Sequence, residues 1–571
     1  MSPQPDVERA MSSDDLHTEP PTTSLLLRTT PPAVWLLVAL TGAIAILSAV
    51  FYPNFRGPDE TDHTDLVVAV AQRSVDWQPG TLHVQLGVLR APLSSVRRLH
   101  GSQYLGKNSM PPRGERPSYL ALGGDRPTKS VNYLVQHPPL YYIVLGSALS
   151  VVPHWRTMPF DRIVLYLRLL GVLMFMPVPW FCYAAARTLS SGRGVWIAAA
   201  ATPLMSPQLL HISATVNNDV PVTLLGAMSI WLAARVLHGD LGRRTAFQLG
   251  LLSAAVSLTK GFGLVVAFLV VCVYLIAFLR YRRPQGLLRP FLRCAAWFLP
   301  PVLVASTWWI GNYAQYHRLQ PNGLRLPAAQ RNVAPPRTST TFAKSGWKFM
   351  QNWLDDFTQR FWFDDPAGNQ RDRPLHLLAL VLTVAVIVLV VALLIRPRLE
   401  RPFVLLVVAC VVITGAQLMR LAWPTYRAIF FVGAAQGRYL FALSAGIGLL
   451  IAFGLDVVLR GSERWVPRVA VTAAVLINLV AARDTARWYW LPKPGTPNRA
   501  WHALQNLLYV SSMPPWLVVP LIVVVTLFTV AALWAVWAPG RPKRWFGRRQ
   551  PATESPEPRS ADAPQSQPAL A

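Results

Sequence analysis

Stretches of about twenty apolar residues recur along nearly the whole chain, and nothing else in the sequence constrains the fold as tightly. A helix rises 1.5 Å per residue, so about twenty residues cross a hydrocarbon core of roughly 30 Å. The runs lie at 33–52, 138–152, 163–187, 195–213, 219–237, 245–259, 262–280, 291–314, 375–395, 402–421, 437–457, 466–484 and 515–538. Only 14% of the 571 residues are charged, against about a quarter in soluble chains. Together these features exclude an ordinary soluble enzyme, a disordered chain and a disulfide-rich scaffold. Lys and Arg number 54 against 27 Asp and Glu. In a many-span chain that excess belongs to loops facing anionic lipid, so the bilayer is the expected partner and nucleic acid is not. Cys182, Cys272, Cys294 and Cys410 each fall inside an apolar run and read as small packing residues.

Charge parity sets the number of spans. Arg280, Arg282, Arg283, Arg289 and Arg293 crowd one short connection. Arg396, Arg398 and Arg401 crowd a second, Arg460, Arg464 and Arg468 a third, and Arg541 to Arg549 follow the last run. The positive-inside rule puts all four in the cytoplasm. Counting back, the run 163–187 enters from outside, so 138–152 cannot span if 33–52 leaves a cytoplasmic N-terminus. At fifteen residues it covers roughly 22 Å, and it opens on Pro138-Pro139 with Tyr141 and Tyr142 following. We read it as a juxtamembrane helix, leaving twelve spans; the alternative is a short tilted thirteenth. The expected organisation is a disordered tail over 1–32, a transmembrane module over 33–457 with outer loops 53–162 and 315–374, further transmembrane helices over 458–538, and a basic then disordered tail over 539–571. The first run has no small-residue cleavage site and is expected to remain as an anchor. In the second loop Met350, Trp353, Phe357 and Phe361 share one helical face, which places that stretch along the membrane surface.

This topology gathers the unusual polar groups at one face. Gly57-Pro58-Asp59-Glu60-Thr61-Asp62-His63 follows the first span, and Gln136-His137-Pro138-Pro139-Leu140 opens the juxtamembrane helix. Asn217-Asn218-Asp219, Thr259-Lys260-Gly261 and Gln436-Gly437-Arg438-Tyr439 sit at span ends. Each has a purely structural reading. Asp59 or Asn217–Asp219 can cap a helix, His137 can serve a turn, and Lys260 or Arg438 can reach toward headgroups. Their convergence at the mouths of several spans favours a site. No acidic residue lies deep in a span, which argues against an ion-coupled transporter.

In the order "PDE…H", "HPPLYY", "NND", "LTKG" and "QGRYLF", the chain resembles GT-C-type glycosyltransferases, family-39-like enzymes and related bacterial membrane proteins, over most of 33–457. The resemblance implies an all-α polytopic membrane protein, a GT-C-type bundle of about twelve transmembrane helices with juxtamembrane helices in the first outer loop. It implies transfer of a sugar from a polyprenyl-phosphate carrier to a hydroxyl of a glycan, lipid or protein. The site would face outside at the plasma membrane. Two departures count: protein mannosyltransferases carry a lysine soon after HPPL, where this chain has Tyr141 and Tyr142, and residues 539–571 are expected to be too short and polar for the extramembranous C-terminal domain of some relatives. Both weaken the case for a protein acceptor.

On this reading Asp59 and Glu60 form the catalytic pair, one accepting the hydroxyl proton and the other tuning it. His63, His137, Asn218, Asp219, Lys260, Arg438 and Tyr439 bind substrate, with Lys260, Arg438 or the loop residue Arg126 offering positive charge to the leaving phosphate. Asp219 is a candidate for sugar hydroxyls or for a possible divalent cation. A single displacement would invert the anomeric centre. The alternatives are a transporter or flippase for a lipid-linked glycan, and a scaffold that has lost the reaction.

Overall fold

The computed structural model describes residues 23–75, 77–95, 105, 109–281, 288–321, 342–363, 373–429, 432–433 and 435–538. Ten of its helices are long and apolar enough to cross a membrane: Pro32–Phe51, Phe160–Leu189, Asp219–Leu237, Gly261–Arg280, Leu288–Tyr316, Leu375–Ile395, Arg401–Arg427, Gly437–Val458, Trp465–Tyr489 and Pro515–Trp537. The chain is an all-α, multi-pass membrane protein. The other two expected spans take different forms. The run 195–213 is broken into Arg193–Ala201, a 3₁₀ turn Thr202–Met205 and Pro207–Ser213. Pro203 and Pro207 cannot donate to a continuing helix, and Ser206 Oγ accepts from Leu209 N at 3.2 Å to start the new one. The run 245–259 becomes Arg243–Ser257, only fifteen residues long. Its Gly250 packs directly on the backbone of Phe298, which docks one face of this short helix on the helix Leu288–Tyr316, while Phe247 and Leu251 on its other side are exposed.

The tail expected over 1–32 is helical at Thr23–Thr29, where Leu26 is buried. Thr30 and Pro31 lead from it into the first long helix, while residues 1–22 and the tail expected after 538 lie outside the described residues. One compact unit runs to Val536 and so includes the helices after 458. A clasp in the first large loop holds them. Arg116 pairs with Asp161 and donates to the carbonyls of Tyr509 at 2.7 Å and Ser511 at 3.1 Å. It thereby satisfies the free C-terminal carbonyls of the helix Arg499–Val510. The helix Phe342–Trp362 does not present its apolar face to lipid. Phe349 packs on Trp423 and Tyr426 at ring distances of 5.0 and 5.1 Å, and the carbonyl and side chains near Phe357–Phe361 close over Gly437. The helix is amphipathic as its sequence predicts, but the partner of its apolar face is protein rather than the membrane surface.

The first large loop is a small subdomain with its own core. Helix Glu60–Ala71 packs against the eleven-residue helix Leu140–Ser150 through Leu66, Val67, Tyr142 and Leu145, all buried. An antiparallel ladder pairs His83–Gln85 with Pro127–Val131 beside them. The two helices approach at Gly146, where an added Cβ would lie 2.5 Å from Val70 Cγ1 and 3.1 Å from the Val67 carbonyl. Gly146→Val is therefore expected to cost about 1–3 kcal/mol by overpacking. A lowered melting temperature with faster proteolysis inside residues 60–150 would show it; an unchanged melt would mean the helices slide freely.

Candidate functional site

The site begins where the first span ends. Gly57 has no room for a side chain, since a Cβ would lie 2.6 Å from Thr215 Cγ2, and Pro58 then directs the chain into the helix Glu60–Ala71. Asp59 takes a left-handed conformation, φ 57°, uncommon for a residue with a Cβ. This turn points the two adjacent carboxylates in different directions.

Glu60 points inward. Its carboxylate is closed by Arg168, with Nε on Oε1 at 2.7 Å and Nη2 on Oε2 at 2.8 Å. Val216 N donates to Oε1 at 3.1 Å and Gly57 N to Oε2 at 3.4 Å. Arg168 spends its other three N–H bonds on the carbonyls of Ala49, Tyr52 and Pro53, which end the first span. All five guanidinium donors are used, and both side chains are 0% exposed. Burial works to raise the Glu60 pKa, but Arg168 outweighs it and holds the carboxyl below its usual range. The expectation of a side-by-side catalytic pair is therefore not met: Glu60 has no open face for a hydroxyl and acts as a brace.

Asp59 points outward, with its side chain 37% exposed. Tyr133 donates its hydroxyl to Oδ1 at 2.7 Å and Arg438 donates Nη2 to Oδ2 at 2.9 Å. Burial opposes ionisation, yet Arg438 and the tyrosine hold Asp59 well below the ordinary carboxylate range. Arg438 continues the chain of charges: its Nε lies 3.8 Å from Asp219 Oδ2, and Lys260 Nζ donates to Asp219 Oδ1 at 2.6 Å. Lys260 and Arg438 both lie over the ring of Tyr439, at 4.7 and 5.6 Å, and that ring stacks on Phe262 at 4.5 Å. The sequence thus brings Asp59, Asp219, Lys260, Arg438 and Tyr439 into one cluster from four separate segments.

Asparagines fix the frame. Asn217 Oδ1 accepts from Asp219 N at 2.9 Å and its Nδ2 donates to the Pro58 carbonyl at 3.0 Å, tying the acidic turn to the helix Asp219–Leu237. Asn218 is buried, donates to the Thr259 carbonyl at 3.3 Å, and has Oδ1 unpartnered. Leu140 N donates to the Leu258 carbonyl at 3.0 Å, so the HPPL element docks onto the turn that carries Lys260. His63 Nδ1 lies 2.9 Å from the Tyr142 hydroxyl, and the His63 and His137 rings lie 6.4 Å apart. Burial, with Lys260 and Arg438 adding to it, pushes His137 down to about 3; burial also drives His63 well below its usual value, against the pull of Asp59. Both rings are neutral at physiological pH, so neither supplies cationic charge to a phosphate. Arg126 is exposed and makes no side-chain hydrogen bond or ion pair among the described residues.

Two residues absent from the expected set belong here. Tyr133 is one. Asp62 is the other: it lies in the first turn of the helix Glu60–Ala71, close enough to the preceding Asp59 for that charge to raise its pKa. A divalent cation does not fit at Asp219. One oxygen carries the Lys260 ammonium, the other faces Arg438, and no group of three or more His, Cys, Asp or Glu gathers to hold a metal among the described residues.

Several buried polar atoms in this cluster lack a hydrogen-bond partner: Arg438 Nε and Asp219 Oδ2, which face each other at 3.8 Å, and Arg438 Nη1, Asn218 Oδ1 and His137 Nδ1. Buried polar groups are satisfied in most folded proteins, so each of these calls for an explanation, and a bound water or a ligand would supply one.

No family model matches the chain, and no curated protein matches it. Among solved structures it is similar to ArnT from Cupriavidus metallidurans bound to undecaprenyl phosphate, at 13% identity and TM-score 0.39, over 88% of this chain and 76% of that one. It is also similar to the Archaeoglobus fulgidus oligosaccharyltransferase, at 13% identity and TM-score 0.36 over 84% of this chain, spanning 54% of that protein. The archaeal oligosaccharyltransferase AglB, in complex with an inhibitory peptide and a dolichol-phosphate, matches at 13% identity and TM-score 0.26, over 89% of this chain and 61% of that one. At this depth the likeness concerns the chain trace and assigns no substrate, acceptor or residue role.

Proposed function

We propose that this protein is an integral-membrane glycosyltransferase. It moves a sugar from a polyprenyl-phosphate carrier to a hydroxyl of a glycan, lipid or protein at the extracytoplasmic face of the plasma membrane. The observation that carries the reading is Arg438. It is almost fully buried, is clamped between Asp59 through Nη2 and Asp219 through Nε, and its Nη1, with two N–H groups, has no hydrogen-bond partner. Such a group beside the Lys260 ammonium can take two oxygens of a phosphate. When the bond between the anomeric carbon and the phosphate breaks, negative charge grows on that phosphate, and fixed donors already in place stabilise it.

The geometry supports a division of labour. Arg438 and Lys260 hold the carrier phosphate, and the Tyr439–Phe262 stack offers a face for the sugar ring. Asp59, on the open side of Arg438, faces the reacting sugar and fixes the guanidinium. His63, His137 and Asn218 present neutral polar atoms for sugar hydroxyls. The acceptor hydroxyl attacks from the side opposite the phosphate in one displacement, which inverts the anomeric configuration.

The test is transfer by the full chain reconstituted in liposomes with radiolabelled polyprenyl-phosphate mannose, arabinose or glucose and a membrane-derived acceptor fraction. Wild type should pass label from one of these carriers to a new product, and Asp59→Asn should lower the rate about 100-fold or more. Carrier that crosses the bilayer unconsumed, equally in both proteins, would replace this reading by the flippase.

A further inference from the structure

We propose that the bundle holds an anionic phospholipid of the bilayer, with an acyl chain in a cavity beside the last helix and its phosphate on Arg483 and Arg487. The cavity measures about 300 Å³ and lies between three of the membrane-length helices, Pro32–Phe51, Trp465–Tyr489 and Pro515–Trp537. Pro207 and Leu210 of the broken run form its inner wall. No lining residue among those described belongs to the Asp59–Arg438–Asp219–Lys260 cluster, so this is a second site. The last helix is held to the bundle near both ends. Val518 is 0% exposed and packs with Val50, Ala532 is buried, and the Val536 carbonyl accepts from Arg468 Nε at 3.0 Å. Between those points Ile522 and Thr529 line the cavity. It opens toward lipid, since Leu479 and Ala482 both line it and are exposed.

The wall selects hydrocarbon. Its polar side chains are spent on the protein: Asn478 Nδ2 donates to the Ala474 carbonyl at 2.8 Å, Thr529 Oγ1 to the Val525 carbonyl at 2.8 Å, and the Tyr52 hydroxyl lies 3.1 Å from Thr485 Oγ1. A buried water needs two or more polar partners, and a cavity that withholds them takes an apolar guest. The charge sits directly beyond the opening. Leu479, Arg483 and Arg487 follow at four-residue steps, which stacks them on one face of the helix Trp465–Tyr489, about 6 Å apart. Both arginines are exposed, and neither makes a side-chain hydrogen bond or ion pair among the described residues. With Asp484 counted, this stretch is still net positive.

Topology alone does not account for the pair. Arg464 and Arg468 stand at the other end of the same helix, and the positive-inside rule explains arginines at one end of a span, not at both. A lipid phosphate does account for it. Guanidinium groups bind phosphate through charge-assisted hydrogen bonds, and the long apolar stem of Arg483 lets its head reach the membrane interface. The order along the helix is that of a lipid in its leaflet: phosphate at the helix end, chain one to two turns deeper. Anionic phospholipid surrounds every span and is drawn to exposed Lys and Arg, which makes it, rather than a scarce carrier, the occupant.

The test is native mass spectrometry of the full-length protein, stripped of lipid in a neutral detergent and then given phosphatidylglycerol or phosphatidylcholine with identical acyl chains. Wild type should retain phosphatidylglycerol with a preference of about tenfold or more, as two arginines at the interface would give. Arg483→Gln combined with Arg487→Gln should bring that preference to within about twofold, and the corresponding double lysine variant, which keeps the charge, should keep most of it. Ala482→Trp fills the cavity from an exposed position, so the core is undisturbed, and it should lower retention of both lipids. An unchanged preference in the double glutamine variant overturns the headgroup assignment, and unchanged retention in Ala482→Trp overturns the cavity. Polyprenyl phosphate displacing phosphatidylglycerol at equal concentration would give the site to the carrier and overturn the proposal. None of these outcomes bears on the transferase reading, since no transfer is measured.

Discussion

Arg168→Ala is expected to destabilise the folded protein by about 3–5 kcal/mol, the cost of leaving a buried charge without its partner. The loss exceeds one ion pair. Arg168 satisfies both oxygens of Glu60 and three carbonyls at the end of the first span, so its removal strands five contacts at once. Nothing replaces them, because the site is closed to water on both sides of the pair. SDS-titration unfolding of the purified protein would measure the change. The mechanism makes a second, sharper claim. Arg168→Met combined with Glu60→Met should recover more than half of the single-variant loss, since removing both charges removes the desolvation problem. If the double variant is as unstable as the sum of the singles, the carbonyl contacts carry the stability and the ion pair does not. Either way Glu60→Gln should act through folding: its remaining folded fraction should keep the wild-type donor KM.

How much of this was legible in the sequence depends on the distance over which the physics acts. Apolar periodicity is local, so the long apolar helices and the short one at 140–150 could be read directly. The break at Thr202–Met205 was also local, signalled by Pro203 and Pro207, but the apolar content of the run outweighed it. The face of Phe342–Trp362 was read correctly and its partner was not, because Trp423 and Tyr426 lie across a long separation in sequence. The same limit governed the acidic pair. Asp59 and Glu60 are adjacent and chemically alike, and what separates them is Arg168, 108 residues away, together with the left-handed turn at Asp59. A chain read in order shows two carboxylates; the fold shows one brace and one open group. Arg438 and Lys260 could be nominated from their place at span ends, whereas their sharing of Asp219 could not. Neither could the neutral state of His63 and His137, which comes from burial under groups distant in sequence.

Arg438→Ala should abolish transfer almost entirely, with a loss of about 10³ in kcat/KM, at the upper end for removal of a fixed donor to a developing charge. The more informative change is Arg438→Lys. Lysine restores the charge and, with Lys260 alongside, would satisfy a purely coulombic role. It cannot reproduce the fork that reaches Asp59 through Nη2, faces Asp219 through Nε and still leaves donors for a phosphate. The lysine variant is therefore expected to fold like wild type, to bind the carrier with KM raised only severalfold, and to remain at least about 50-fold slower in kcat. That pattern follows if the guanidinium matters more as the phosphate leaves than when the carrier first binds, since only such a preference lowers the barrier. Steady-state kinetics with the labelled carrier would separate the two terms. A lysine variant with wild-type kcat would reduce Arg438 to a counter-ion for Asp59 and Asp219, and the phosphate would then have to be held by Lys260 alone.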